Sequence, residues 1–294
     1  MIIAAIDIGS NAARLLITEV SDLDGRVSFN KLNLVRVPLR LGFDVFSIGS
    51  ISEEKQEMMM ETMKAFSSLM KAYKVQHKIA CATSAMRDAK NADEIISKIR
   101  ENTGIEIEVI SGDAEANLIY ENHVAENMDT DHSYLYIDVG GGSTELSFFS
   151  NGVLFYKRSF NIGTIRLLRH QVKDSDWQEL KDQVRQFTKG QKEVIAIGSG
   201  GNINKVFSLS KKKDGKPLPL DLLRDYYREL ESVPLEERII RYNMRPDRAD
   251  VIVPALSIYI NVMRWAGAND IFVPKIGLAD GLIQHLYEEI KSSK

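Results

Sequence analysis

Asp7 and Asp138 each close an apolar run and are followed, one residue on, by glycine and then by a small hydroxyl residue. The first copy reads Ile-Ile-Ala-Ala-Ile-Asp-Ile-Gly-Ser-Asn from Ile2 to Asn11. The second reads Tyr-Leu-Tyr-Ile-Asp-Val-Gly-Gly-Gly-Ser-Thr-Glu from Tyr134 to Glu145. Gly9, Gly140, Gly141 and Gly142 carry no Cβ, so the backbone there can bring N–H groups close to an anion. Ser10 and Ser143 add hydroxyl donors, and the two aspartates are placed to hold a cation or a water beside a phosphate. A single copy would read equally well as a strand ending in a turn. Two copies in one chain imply a duplicated unit, and residues of these types point to phosphoryl chemistry. Gly198-Ser199-Gly200-Gly201 is a third glycine turn, the least specific because many strand-to-helix turns contain glycine.

Elements of two periods must position these corners. Ile2 to Ile8, Arg14 to Val20 and Val27 to Val37 alternate as strands, with Asp24-Gly25 as a hairpin turn. Met59, Met63, Phe66, Met70 and Tyr73 recur at helical spacing behind Ser52, Glu53 and Glu54, which predicts an amphipathic helix from Ser52 to Lys74 with Ser52 as N-cap. Strand, helix, strand and helix follow at 78–83, 92–102, 106–111 and 114–125, with Gly104 as a helix cap. The second half repeats the order. Its strands are 134–139, 144–150 and 153–160, joined by an Asn151-Gly152 turn of type I′, then come helix 174–189, strand 193–197 and the third glycine turn opening a helix. Lys211 to Pro217 reads as a charged loop, and the remainder as helical apart from a short strand at 270–273. The expected fold is therefore α/β, with two related domains meeting near residue 126 and a phosphate site in the cleft between them.

Composition sets further bounds. At 294 residues with 44% hydrophobic content, the chain is long enough for two folded domains. The one cysteine, Cys81, lies in an apolar run and excludes an internal disulfide. The N-terminus shows no basic leader, and no apolar run reaches membrane-spanning length, so a cytoplasmic protein without membrane contact is expected. A net charge of −3 supplies no global field for nucleic acid. A polyanionic substrate needs a local track, for which Arg14, Arg166, Arg169, Lys205 and the Lys211 to Lys216 loop are candidates, the loop reading more simply as a solvated connection. His77, His123, His132, His170 and His285 show no transition-metal spacing.

Four segments carry a resemblance: Ile6-Asp7-Ile-Gly-Ser-Asn11, Ala82-Thr-Ser-Ala-Met-Arg87, Val109-Ile-Ser-Gly-Asp-Ala-Glu-Ala116 and Ile137-Asp-Val-Gly-Gly-Gly-Ser-Thr-Glu145. Gly198-Ser-Gly-Gly201 and Gly277-Leu-Ala-Asp-Gly281 extend it over nearly the whole chain. In these the chain resembles the short two-domain form of the exopolyphosphatase and guanosine pentaphosphate phosphohydrolase (Ppx/GppA) family. One departure stands out: Ala114 occupies the first of two places where that family usually has paired acids.

The resemblance implies two ribonuclease H-like domains of the actin and sugar-kinase type. It implies release of terminal phosphate from inorganic polyphosphate, with guanosine pentaphosphate or tetraphosphate as further ligands, and it favours a homodimer. Glu115 aligns with the proposed catalytic base; without the resemblance it would read as an acid at a helix N-terminus. Asp138 and Glu145 would hold Mg²⁺, with Asp7 approaching from the other half. Arg87 would bind a phosphoryl oxygen bidentately, the alternative being an ion pair with Asp88 or Asp93. Gly9, Ser10, Asn11, Gly140, Gly141, Gly142, Ser143, Gly198, Ser199 and Gly200 would complete the phosphate cradle. Two other functions stay open at this point: an ATP-dependent small-molecule kinase of the same fold, and a non-catalytic sensor of guanosine tetra- or pentaphosphate. The helix from Leu282 to Ile290 is suited to packing back on the first domain or to a dimer interface.

Overall fold

The computed structural model describes residues 1–23, 26–120, 131–274 and 276–293. The chain divides into two compact units, Met1–Asn122 with Leu278–Lys294, and His123–Gly277. The expected boundary near residue 126, the Asp24-Gly25 turn and the helical prediction beyond residue 120 fall outside the described residues.

In the first unit, β1 (Ile2–Ile8), β2 (Ala13–Leu23) and β3 (Arg26–Val37) form an antiparallel meander. Next come α1 (Leu41–Ile48), α2 (Glu53–Ala72), β4 (His77–Ala82), α3 (Ser84–Asp88), α4 (Ala92–Thr103), β5 (Glu108–Val109) and α5 (Gly112–Tyr120). Sheet order is β3-β2-β1-β4-β5, with β4 parallel to β1 and β5 parallel to β4. The central strand β1 is buried along nearly its whole length, as its continuous apolar sequence requires when a sheet is covered on both faces. Helix α2 buries Met59, Met63, Phe66 and Met70 on the predicted stripe. Ser52 does occupy the N-cap, yet its hydroxyl donates to Asp44 Oδ2 at 2.5 Å instead of accepting from the helix. Gly104 ends α4 at φ 65°, the left-handed cap that glycine adopts without steric cost. The strand expected over 106–111 narrows to two paired residues. Helices α1 and α3 lie in segments where local periodicity is too short to show.

The second unit begins with the meander β6 (Ser133–Val139), β7 (Thr144–Ser150) and β8 (Val153–Phe160), where Asn151 and Gly152 take the positive φ values of a type I′ turn, 53° and 72°. It continues through α6 (Thr164–Leu168), α7 (Asp174–Thr188), β9 (Val194–Ser199), α8 (Gly201–Ser210), β10 (Leu218–Pro219), α9 (Leu220–Ser232), α10 (Leu235–Arg241), α11 (Pro246–Ala249), α12 (Ile252–Ala266) and β11 (Asp270–Phe272). Sheet order is β10-β11-β9-β6-β7-β8. Read from the meander, β8-β7-β6-β9-β11 repeats β3-β2-β1-β4-β5 in order and strand direction. β10 is an addition just beyond the Lys211 to Pro217 loop, at the start of the stretch expected to be helical. Helix α12 is apolar on most sides and sits in the core, with Ile252, Ala255, Ile258 and Val262 fully buried.

The last helix, α13 (Leu278–Ser292), belongs to the first unit and packs on β1, β2, β4 and α5. Its apolar face buries Leu282 and Leu286. Asp280 pairs with Lys31 at 2.5 Å, Tyr287 meets the ring of Phe29 edge-on, and its hydroxyl donates to Asp22 Oδ2 at 3.1 Å. Among the described residues, no helix is long and apolar enough to cross a membrane.

Candidate active site

The two acid-glycine corners have the same backbone construction. Strands β1 and β2 are joined by the four residues 9–12, and β6 and β7 by 140–143. Each turn closes on itself by one bond, from Gly9 N–H to the Ala12 carbonyl at 3.0 Å and from Gly140 N–H to the Ser143 carbonyl at 2.9 Å. Ser10 and Ser143 therefore stand at different places in equivalent turns.

A segment at the start of a short helix braces each turn. Near α1, Arg40 N–H donates to the Asn11 carbonyl (2.9 Å) and Gly42 N–H to the Ser10 carbonyl (2.8 Å). At α6, Thr164 and Ile165 N–H groups donate to the Gly140 and Gly141 carbonyls (3.0 and 2.8 Å), and Arg166 Nε donates to the Gly142 carbonyl (2.7 Å). These bonds occupy the carbonyl oxygens that would otherwise repel an anion, so the turns are electrostatically prepared for phosphate. Gly163 makes the second brace possible: a Cβ there would stand 2.4 Å from the Gly142 carbonyl carbon.

In the first unit, Asp7 is 2% exposed, and its Oδ2 lies 2.5 Å from Arg14 Nη1, directly opposite on β2. Ser10 Oγ and Ser84 Oγ share a buried hydrogen bond of 2.8 Å that ties the turn to the start of α3. Arg87, on the same helix, donates to the Ile110 carbonyl at 2.6 Å and stands 3.5 Å from Glu115 Oε2. Ser111 Oγ accepts the N–H of Ala114, the residue before Glu115, at 3.1 Å, an N-cap bond that fixes the first turn of α5. Glu115 is 8% exposed. Cys81 sits among these groups, its thiol pushed up to about 12 by burial first, and then by the charges of Glu108, Asp7 and Glu115.

In the second unit, Asp138 faces Glu145 across β6 and β7, and Glu145 faces Ser159 across β7 and β8. Ser159 Oγ donates to Glu145 Oε1 at 2.8 Å. On the other side of Asp138, β9 brings Ser199 alongside, and the chain turns at Gly200 with φ 98°. A Cβ on Gly200 would come within 3.1 Å of Asp138 Oδ1. Two residues that the sequence did not single out complete this corner. Tyr259, deep in α12, donates its hydroxyl to the Ser199 carbonyl; burial, then the charge of Asp138, push that phenol well above its ordinary value. Arg248 lays its guanidinium where a Cβ of Gly201 would be and donates to Asn202 Oδ1 at 2.5 Å.

Similar sheets thus carry opposite chemistry at the same level. Across β1, β2 and β3 the row is Asp7, Arg14, Arg36; across β6, β7 and β8 it is Asp138, Glu145, Ser159. The first is suited to an anion, the second to a hard cation. Of the residues considered for a basic track, Arg14 and Arg166 serve the turns. Lys205 and Lys212 donate to the carbonyls of Asn243 and Pro217 (3.1 and 2.9 Å), and residues 211–216 are solvent-exposed.

A meander continued by parallel strands, built twice and turning through braced acid-glycine corners, defines a two-unit α/β protein of the ribonuclease H-like, actin and sugar-kinase type. The Ppx/GppA phosphatase family profile matches residues 20–289, and the chain belongs to that family. It is similar to the bifunctional 3-dehydroquinate synthase/phosphatase of Fusobacterium nucleatum, 27% identical over 303 residues that cover 92% of this chain and 44% of that protein. The chain thus spans under half the length of this curated relative. Among solved structures, an exopolyphosphatase from Cytophaga hutchinsonii superposes with a TM-score of 0.82 at 25% identity, covering 100% of this chain and 99% of that one. The Aquifex aeolicus member of the family superposes with a TM-score of 0.76, also at 25% identity and with the same coverage.

Proposed function

We propose that this protein hydrolyses the terminal phosphoanhydride of inorganic polyphosphate, with the 5′-γ-phosphate of guanosine pentaphosphate as a second substrate of the same chemistry. The observation that carries the reading is the Arg87–Glu115 pair: a nearly buried carboxylate and a guanidinium 3.5 Å apart, held from different helices. The phosphatase activity in the name of the Fusobacterium relative and the exopolyphosphatase activity in that of the Cytophaga structure support it.

In this reading Glu115 takes the proton of a water whose oxygen attacks the terminal phosphorus. The bond to the bridging oxygen breaks, and the shortened chain leaves with the electron pair. Arg87 and Arg14 neutralise phosphoryl oxygens, Arg14 being held in place by Asp7. The N–H groups of the braced turns, with Ser10, Asn11 and Ser143, supply hydrogen-bond donors for phosphoryl oxygens. Asp138 and Glu145 offer hard carboxylate oxygens that fit Mg²⁺. Among the described residues, no three His, Cys, Asp or Glu side chains gather to make a full protein cage. Mg²⁺ bound there with phosphate and water ligands would supply charge neutralisation. The same reading includes a homodimer and cytoplasmic residence.

The test is phosphate release from long-chain polyphosphate by purified protein, with guanosine pentaphosphate and an ATP-plus-acceptor mixture in parallel. Release from polyphosphate that depends on Mg²⁺ and disappears in Glu115→Ala is expected. Nucleotide binding with no turnover of either substrate would overturn hydrolysis in favour of sensing.

A further inference from the structure

Glu145 is 2% exposed, and a long carboxylate at that depth can hold a cation only if its rotamer is set. Ser159 is a donor placed to set it. The two residues lie directly opposite in the antiparallel pair β7 and β8, which places their side chains on one face, and the hydroxyl reaches Oε1 at 2.8 Å. The identity of this donor matters. At the corresponding level of the first unit, the third strand carries Arg36 opposite Arg14. A guanidinium at the place of Ser159 would add a positive charge beside Glu145, whereas a neutral hydroxyl orients the carboxylate without adding one. The adjacent Arg158 is directed elsewhere, pairing with Glu179 at 2.5 Å.

We infer that Ser159 is the positioning residue of the divalent-cation site, acting through Glu145. The inference rests on the reading that Asp138 and Glu145 hold the cation. Acting through its bond to Glu145, Ser159 affects cation affinity and leaves the chemical step nearly unchanged.

The experiment titrates Mn²⁺ alone into the full-length protein without substrate, following free Mn²⁺ by electron paramagnetic resonance, for wild type, S159A, S159T, S159R and E145Q. Removing an outer partner of a metal ligand weakens metal binding by about 10- to 100-fold. S159A is expected in that range, S159T, which keeps the hydroxyl, within about threefold of wild type on the same scale, and S159R and E145Q without measurable binding. In turnover assays, the Mg²⁺ concentration for half-maximal rate should rise in S159A by the same factor while kcat at saturating Mg²⁺ stays near wild type. Wild-type affinity in S159A, or affinity in S159T as weak as in S159A, would remove Ser159 from the site. Failure of the cation-site reading has a different signature: wild-type protein binding no Mn²⁺, or E145Q binding it undiminished.

Discussion

Arg87 and Glu115 meet at 3.5 Å although they sit on different short helices, α3 after β4 and α5 after β5. The parallel pairing of β4 and β5 delivers both helix starts to the same end of the sheet. That is where open α/β sheets place their chemistry. The guanidinium is also anchored by the Ile110 carbonyl, so it is positioned before any ligand arrives.

Glu115→Gln preserves shape and removes the base. Phosphate release should fall by about 10²- to 10⁴-fold, the usual contribution of a general base, with little change in KM. Arg87→Lys keeps the charge but loses the planar fork and should recover only a small part of the loss seen in Arg87→Ala. Steady-state kinetics on polyphosphate check both, and a near-normal kcat in Glu115→Gln would remove that residue from the mechanism.

Gly163→Ala forces a methyl into backbone atoms of the neighbouring turn, at 2.4 Å from Gly142 and 2.5 Å from Gly141. The strand-to-helix brace must open, costing about 1–3 kcal/mol as overpacking does. Thermal unfolding should show a lower Tm, and activity should fall further than the stability loss explains. Gly104→Ala, with nothing within 4 Å but a φ of 65°, should lower Tm by left-handed strain while leaving kcat unchanged.

Asp44 ties α1 to α2 through Lys55 (2.5 Å) and Ser52 (2.5 Å). Burial alone would raise its pKa, but hydrogen bonds from Lys55 and Ser52 hold it below the ordinary 3.8. A carboxylate depressed in the folded state stabilises above the unfolded pKa and loses that contribution as pH falls through the folded value. Asp44→Asn should therefore be less stable at pH 7 by about 1–2 kcal/mol. It should also show a smaller drop in urea midpoint between pH 5 and pH 2.5 than wild type.

Cys81 is 1% exposed, with its thiol pushed from 9.0 up to about 12. Maleimide at pH 8 should leave the native protein unmodified and label it fully in denaturant. Above about pH 9 the unfolded thiol ionises while the folded one stays protonated, so its share of stability declines between pH 9 and about 12. Cys81→Ala should flatten that alkaline decline in the urea midpoint.

The acid-glycine corners, the Asn151-Gly152 hairpin, the Gly104 cap and the methionine stripe of α2 were all legible in the residues. Each is dictated by neighbours within one turn or one strand, through φ/ψ restriction and periodicity. The meander repeated in both halves followed from the same signals. Ser52 shows where that reasoning stops: its type and place predict a cap, but Asp44, eight residues earlier, competes for the hydroxyl and wins with a charge-assisted bond.

What the tertiary structure decided are the partnerships between distant segments. Tyr259 is 60 residues from the Ser199 carbonyl it holds, Arg248 46 from Asn202, and Ser84 74 from Ser10. Local sequence carries no mark of such pairs, because strand register and helix docking set them. The same holds for the contrast between Arg14 and Glu145: their types are plain in the chain, but only pairing across the strands shows that one answers Asp7 with a positive charge and the other joins Asp138 with a negative one. Local chain geometry thus determined where the corners form, and cross-strand electrostatics determined what each can hold.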